Sequence, residues 1–338
     1  MSAKRDRRGP ETPKPELISV VLVGLDEQAR GIARALLSHP ELQLVAAVDP
    51  EHAGHPLRSL VPEAPANLTV GGRASEAFRR ARGGVAVLCH GRTLEAIERE
   101  LFSAIDAGLS VVGACEELVY PSFVDPELAE RIDEAAANRG VGVVGVGLVA
   151  GFLFDRLLGT VAQASGHWRR VEAERIVALR GGTALARRAG LGRSAEAFDR
   201  GVDEGEIGQP GLSESCGLLA EALGFELDEV EEAVDPILAE AEVEADGLRV
   251  EKGCVIGLSQ VARGFEEGRE LVRLAVEMRL GATPRDALRI EGEPPIEIVV
   301  SGGIPEDPAL GWIVANAVPQ VLAAGPGLLH VLDLPAAV

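Results

Sequence analysis

The sequence predicts an α/β protein in two parts: a doubly wound parallel sheet, then a second α/β domain built on a largely antiparallel open sheet. Three observations carry this. Leu17 to Leu37, LISVVLVGLDEQARGIARALL, passes from an apolar β-branched strand through a tight turn at Gly24 into a helix whose apolar spacing suits packing on a sheet. As far as Val146, apolar strands and amphipathic helices alternate at the spacing of right-handed βαβ units. Beyond about Ser165 the texture changes. Trp168 to Leu179, Leu271 to Leu280 and Pro295 to Val300 alternate apolar and polar residues or carry β-branched runs, the pattern of a sheet with one wet face.

The opening strand, turn and helix read as the start of a Rossmann-like, dinucleotide-binding domain. In the fingerprint G-x-G-x-x-G/A the second glycine admits the pyrophosphate and the third lets helix and strand pack closely. Here Gly24 holds the first place, Asp26 stands in the second and Ala29 in the third, so the packing position is met and the phosphate position is not. An aspartate at a helix start accepts hydrogen bonds from the same free N–H groups that a pyrophosphate would use. A carboxylate about 4 Å from a phosphate charge adds up to ~4 kcal/mol of repulsion at a surface-like dielectric. Asp26 is therefore read either as the helix N-cap, with Arg30 one turn on as its ion partner, or as a contact to cofactor ribose or amide.

Leu42 to Asp49, LQLVAAVD, is the second strand. An acid at its end holds the ribose hydroxyls of NAD and repels the 2′-phosphate of NADP, so Asp49 points to NAD with NADP second; the same residue also suits the opening of a turn before Pro50. Gly84 to Cys89 is the third strand, Thr93 to Ala107 a helix with Leu94, Ile97, Leu101 and Ile105 on one face, and Leu109 to Ala114 the next strand. Pro126 to Asn138 is helical and Gly140 to Val146 a further strand. Helices near Ser194 to Val202 and Ser213 to Leu223 interrupt the second domain, and Pro308 to Leu322 is an apolar helix returning to the first. The expected division is a loose tail over 1–16, a dinucleotide-binding domain over 17–164, a substrate and dimerisation domain over 165–305, and the returning segment over 306–338.

With 338 residues and 46% hydrophobic content, the chain has apolar material for two cores. A formal net charge of −20 argues against nucleic acid or an anionic membrane as partner, since either calls for a basic patch. Residues 1–16 are basic and proline-containing without an apolar segment, which is neither a signal peptide nor an anchor. Cys89, Cys115, Cys216 and Cys254 are widely spaced, so buried free thiols in a reducing cytoplasm are expected rather than a zinc site. His52, His55 and His90 lie in loop-like settings and suggest no metal cluster.

The ordered pieces CEELVYP (Cys115 to Pro121), GVGLVAGFLFD (Gly145 to Asp155), GLSES (Gly211 to Ser215), SGGI (Ser301 to Ile304), ANAVP (Ala315 to Pro319) and GPGLLHVLDLP (Gly325 to Pro335) resemble the 2,4-diaminopentanoate dehydrogenase family. That family includes amine dehydrogenases and is more distantly similar to dihydrodipicolinate reductase. The resemblance runs from about Leu17 to the end. It implies an NAD(P)-dependent interconversion of a small amine with its oxo form and ammonia, usually in a homodimer. It also implies that the segment holding Glu116, Glu117 and Tyr120 lies at the mouth of the nicotinamide pocket, where a carboxylate takes the amine proton. This position follows a strand at the carboxyl edge of the sheet, where such folds bind ligands. Paired glutamates opening a helix are also commonly solvated.

The chain departs from the family at polar positions. Where G-x-N-P-G-F is common it has Gly147, Leu148, Val149, Ala150, Gly151 and Phe152; where a Thr-Ser pair follows the third strand it has Cys89 and His90. Val177, Ala178, Ser259 and Gln260 replace polar and Arg-His pairs of the second domain. Two functions follow. One is an NAD(P)-dependent oxidoreductase with Glu116 or Glu117 as proton acceptor and Gly24, Asp26, Ala29, Asp49, Cys89, His90 and Gly147 around the cofactor. The other is a non-catalytic relative that binds another ligand or partner, with Asp26 closing the dinucleotide turn.

Overall fold

The computed structural model describes residues 17–245 and 248–335; the tail expected over 1–16 lies outside them. The first unit runs β1 (Ile18–Val23), α1 (Glu27–Ser38), β2 (Leu42–Val48), α2 (Ala74–Phe78), β3 (Val85–Leu88), α3 (Leu94–Asp106), β4 (Ser110–Gly113), α4 (Pro121–Val124), α5 (Pro126–Arg139) and β5 (Gly142–Gly145). A kinked helical crossover, Leu148–Leu157, continues as α6 (Leu158–Ala162). Then come β6 (Gly166–Leu179), α7 (Ala184–Arg188), α8 (Ala195–Asp203), α9 (Leu212–Leu223), β7 (Glu229–Leu238), β8 (Val243–Ala245), β9 (Leu248–Val250), β10 (Val255–Glu266), β11 (Arg269–Leu280), β12 (Arg285–Glu293) and β13 (Ile296–Ser301). The chain closes with α10 (Glu306–Ala324) and β14 (Gly327–Leu329).

Six parallel strands form the first sheet in the order β14-β5-β4-β3-β1-β2. Alternate residues of β1 serve two cores. Val20 and Leu22 pack with Ile32 and Leu36 of α1 and Val314 and Val318 of α10, while Val21 and Val23 pack with Phe78, Ile97 and Leu101 on the other face. Strands buried on both faces need continuous apolar runs, which is why ISVVLV and VAVL read so clearly. Helix starts follow local chemistry: the side chains of Asp26, Thr93 and Asp125 each accept the N–H three residues on. Helix α1 begins at Glu27, earlier than the apolar spacing from Arg30 indicates, because this cap adds its first turn.

The second sheet has the order β13-β12-β6-β11-β10-β7 and is antiparallel except at β6 and β11. Its inner face packs on Leu212 and Leu219 of α9, Phe198 of α8 and Leu153 and Phe154 of the crossover. Its outer face is laced with ion pairs, among them Arg289 with Glu172 and Glu297, and Arg285 with Glu174. Strands β7 to β10, β12 and β14 were not legible as strands. The acid-rich EVEEAVDPIL of β7 is an edge strand and shows no apolar alternation, and GLL of β14 is too short for a pattern.

One buried ion pair holds the return from the second sheet to the first. Arg175 on β6 and Asp286 on β12 stand opposite one another; Nη1 donates to both carboxylate oxygens at 2.8 and 3.0 Å. Asp286 also accepts the Ile304 N–H at 2.7 Å, and Arg175 Nη2 donates to the Ile304 carbonyl at 2.8 Å. The SGGI segment is thus clamped just before α10. No helix among the described residues is long and apolar enough to cross a membrane.

Candidate active site

At the carboxyl edge of the first sheet, Gly24 adopts φ +100°, and a Cβ there would lie 2.9 Å from the backbone of Cys89 and His90, so only glycine fits. Beside it opens a cleft of about 760 Å³ lined by Gly24, Asp49, Arg73, Ser75 and His90 among others. Asp49 opens the turn after β2, accepting the N–H groups of Glu51 and His52 and the His52 ring on Oδ1. Its Oδ2 accepts the Leu25 N–H at 2.9 Å, which leaves that oxygen one further acceptor place at the cleft. Burial pushes the Asp49 carboxyl up, but these hydrogen bonds outweigh it and hold it below the ordinary carboxylate value.

Asp26 is exposed and its Oδ1 accepts the Ala29 N–H at 2.8 Å, the N-cap arrangement. Arg30 does not take the ion-pair place expected for it; its Nε donates to the Leu25 carbonyl at 2.9 Å, bracing the turn from inside. Burial, with Asp26 nearby, raises the Cys89 thiol above its ordinary range, so it is un-ionised and inert at neutral pH. His90 lies 3.4 Å from Glu100 through Nε2 and faces the same cleft. Of the four thiols, Cys115 and Cys216 are buried, whereas Cys89 and Cys254 are only part-buried.

Glu116 and Glu117 open a single helical turn after β4, and the structure gives them different surroundings. Glu117 Oε2 accepts the Leu94 N–H at 2.7 Å, so this carboxylate caps α3 from across the sheet edge. Glu116 Oε2 is buried and has no hydrogen-bond donor. Burial raises the Glu116 carboxyl; the guanidinium groups of Arg188 and Arg92 offset this in part, and Glu306 adds to it. Tyr120 turns elsewhere: its hydroxyl donates to Glu221 on α9 at 2.5 Å and its ring meets His330 edge-on, with burial and Glu221 pushing the phenol up to about 12.

Facing Glu116 is the loop Gly208 to Gly211, of which only Gly211, the first residue of GLSES, stood out in the sequence. Gly211 has φ +92°, and a Cβ there would stand 2.7 Å from Ala150 Cβ and 3.4 Å from Glu116 Cβ. Gln260 on β10 clamps this loop, its Oε1 accepting the Gln209 N–H at 2.6 Å and its Nε2 donating to the Gln209 carbonyl at 2.7 Å and to Glu232. Arg188 holds the other end. Glu214, at the start of α9, is pushed up to about 7 by burial, with Glu232, Glu117 and Glu116 adding to the rise. Gly147 begins the crossover, and the Ala150 carbonyl folds back against it where a side chain would clash.

The crossover is pinned by Asp155. Its Oδ2 accepts the Gly151 N–H at 2.5 Å and the Ser215 hydroxyl at 2.8 Å, joining GVGLVAGFLFD to GLSES, while Oδ1 is buried without a partner. Burial lifts this carboxyl from 3.8 to about 6 despite both hydrogen bonds. A carboxyl with a raised folded-state value stabilises most below its unfolded value, and that contribution is lost as pH rises toward 6. At ~1.4 kcal/mol per pH unit the loss is about 3 kcal/mol. Denaturant titrations at pH 4 and pH 7 should therefore show Asp155→Asn gaining about 2 kcal/mol relative to the native chain over that interval, part of the total loss having already occurred by pH 4; parallel pH dependences would contradict this ionisation.

A sequence profile of the 2,4-diaminopentanoate dehydrogenase C-terminal domain matches residues 152–338. Over 336 residues the chain is 26% identical to a 2,4-diaminopentanoate dehydrogenase of Acetoanaerobium sticklandii, covering 95% of this chain and 94% of that one. The fold is shared with an amine dehydrogenase from Mycobacterium smegmatis at a TM-score of 0.81 and 23% identity, over 95% and 97% of the two chains. It is shared less closely with GenD2 from gentamicin A biosynthesis, solved in complex with NAD, at a TM-score of 0.50 and 18% identity over 86% and 74%. The glycine turn, the crossover pinned by Asp155 and the clamped SGGI return are thus features of a chain that belongs to the 2,4-diaminopentanoate dehydrogenase family.

Proposed function

We propose that this protein is a nicotinamide-dependent oxidoreductase that interconverts a small amine with its oxo form and ammonia, and that Glu116 is its proton acceptor. The observation that carries the assignment is the contrast between the two glutamates. Glu117 is committed to the α3 N-terminus, whereas Glu116 keeps a buried oxygen free at the carboxyl edge of the sheet. Amine oxidation needs such a group, because hydride departs only from a neutral amine. The nicotinamide, when bound, supplies the hydride acceptor. Glu116 takes the ammonium proton beforehand, and water then adds to the resulting iminium carbon to release ammonia and the ketone. The names of the relative and of the structural neighbours, a 2,4-diaminopentanoate dehydrogenase and an amine dehydrogenase, support this class.

The residues at the edge fit a dinucleotide with one penalty. The cleft, Gly24 and the spare acceptor place on Asp49 suit an adenosine half, and Asp49 favours NAD over NADP. Asp26 occupies the Ala29 N–H that a pyrophosphate would use. Turning an exposed cap away costs ~1 kcal/mol, and micromolar binding is worth ~8 kcal/mol, so the carboxylate weakens the site without closing it. Calorimetric titration with NADH and NADPH tests this. Micromolar NADH binding with weaker NADPH is expected, and Asp26→Gly should change NADH affinity by no more than about tenfold. No heat with either cofactor at millimolar concentration, together with a sharp gain in Asp26→Gly, would favour the non-catalytic relative.

A further inference from the structure

Gln260 on β10 is one of the positions at which the sequence departs from the family pattern, and the structure gives it a task. Its Oε1 accepts the Gln209 N–H at 2.6 Å and its Nε2 donates to the Gln209 carbonyl at 2.7 Å, so one amide satisfies both backbone groups of a residue 51 positions away. Nε2 also donates to Glu232 on β7, which in turn accepts the Ser213 hydroxyl. A carboxylate can only accept, so Glu232 fixes which end of the amide carries the donors. Gln260 and Gln209 are 3% and 5% exposed, which leaves this grip out of reach of competing water. No other neutral side chain of this length offers a donor and an acceptor at one end.

The segment held in this way presents backbone alone. Gly208 and Gly211 have φ of +126° and +92°, and between them the Gln209 side chain is committed to Arg188 and to the Pro210 carbonyl. What the loop places is Gly211. With Ala150 Cβ 2.7 Å and Glu116 Cβ 3.4 Å from where its own Cβ would stand, the Gly211 backbone closes directly over the Glu116 side chain. A buried polar network whose members are satisfied is rigid, so this is a fixed wall. Behind it, one Glu116 oxygen is buried without a donor.

We infer that Gln260 is a positioning residue for Glu116: by gripping Gln209 it holds Gly211 over the Glu116 side chain and keeps water from that carboxylate. Its bearing on catalysis rests on the reading of Glu116 as the proton acceptor. The charged and titratable groups that face Glu116 are Arg92 ahead of α3, Arg188 at the end of α7, Glu214 on α9, Glu306 beginning α10, and its chain neighbours Cys115 and Glu117. Loss of the grip moves their balance in one direction. Water reaches the carboxylate, and Arg188, whose acceptors on Gly208 and Gln209 come loose with the loop, is released toward the anion. Both changes favour the charged form of Glu116.

Carbon-13 NMR of the full chain labelled at glutamate Cδ tests this without requiring turnover, the Glu116 resonance being the one absent from Glu116→Gln. In the native chain it should titrate above the ordinary glutamate value of 4.5. In Gln260→Met, which keeps the length of the side chain and loses all three hydrogen bonds, the midpoint should fall by about one pH unit or more. Gly211→Ala, which forces the loop off Ala150 with the clamp intact, should lower it too and supplies the test where Gln260→Met does not fold. Ser213→Ala removes a bond to Glu232 but not the grip, and should leave the midpoint within about 0.3 pH unit. An unmoved midpoint in a folded Gln260→Met or Gly211→Ala, or an equal fall in Ser213→Ala, would overturn the inference. A fall in Gln260→Met without amine-dependent reduction of NAD or NADP by the native chain would leave the positioning of Glu116 standing and remove the dehydrogenase reading; reduction with an unmoved midpoint would do the reverse.

Discussion

Replacing Glu116 by Gln is expected to lower the rate of amine oxidation by ~10²- to 10⁴-fold with NADH affinity unchanged, because the buried proton acceptor is lost and the cofactor cleft is not touched. Glu117→Gln should cost far less, since an amide oxygen still accepts the Leu94 N–H. The pH dependence carries a second signature. Burial raises the Glu116 carboxyl, so the oxidative rate should climb with pH through a value above the ordinary glutamate range. The reductive direction, which needs the protonated acid, should decline over the same interval. Glu116→Gln should abolish this limb. Steady-state rates for both glutamine variants across pH 5 to 9 decide the matter: a fully active Glu116→Gln with a crippled Glu117→Gln would reverse the assignment.

Arg175→Met should remove about 3–5 kcal/mol of stability, the largest loss expected from a single change outside the apolar cores. Arg175 is 3% and Asp286 0% exposed, so the substitution strands a carboxylate in the interior and orphans the Ile304 carbonyl together. The double variant Arg175→Met with Asp286→Leu should recover only part of the loss. It removes the stranded charge but leaves both backbone groups of Ile304 without partners. Chemical denaturation of the two single variants and the double gives the coupling directly. A loss below about 1 kcal/mol for Arg175→Met would show that the SGGI return is held by packing instead.

Much of the scaffold is readable from the chain because its causes are local. The apolar runs of β1 to β5, the capping side chains of Asp26, Thr93 and Asp125, and the amphipathic face of α3 each sit within a few residues of what they produce. The pieces that carried the family resemblance also have a physical meaning. Asp155 meets Ser215, and Ile304 meets Arg175 and Asp286, so these motifs hold the passages between the two sheets. The edge strand β7 and the short β14 escaped because their position, not their composition, makes them strands. The site itself was half visible. Asp49 and the Glu116, Glu117 pair stood out by type and place, but nothing in the order of residues separates one glutamate from the other.

What the amino-acid sequence determined alone is the alternation of buried strands and helices, the glycine turn with its displaced pyrophosphate position, and the acid at the end of β2, since each depends on near neighbours along the chain. Tertiary structure decided which glutamate is free, that Tyr120 is engaged by Glu221, and that Arg188, Gln209 and Gln260 gather opposite Glu116. These residues are separated by up to 144 positions between Glu116 and Gln260. Burial and hydrogen-bond partnership arise only when such distant segments meet, and they set whether a carboxylate caps a helix or handles a proton.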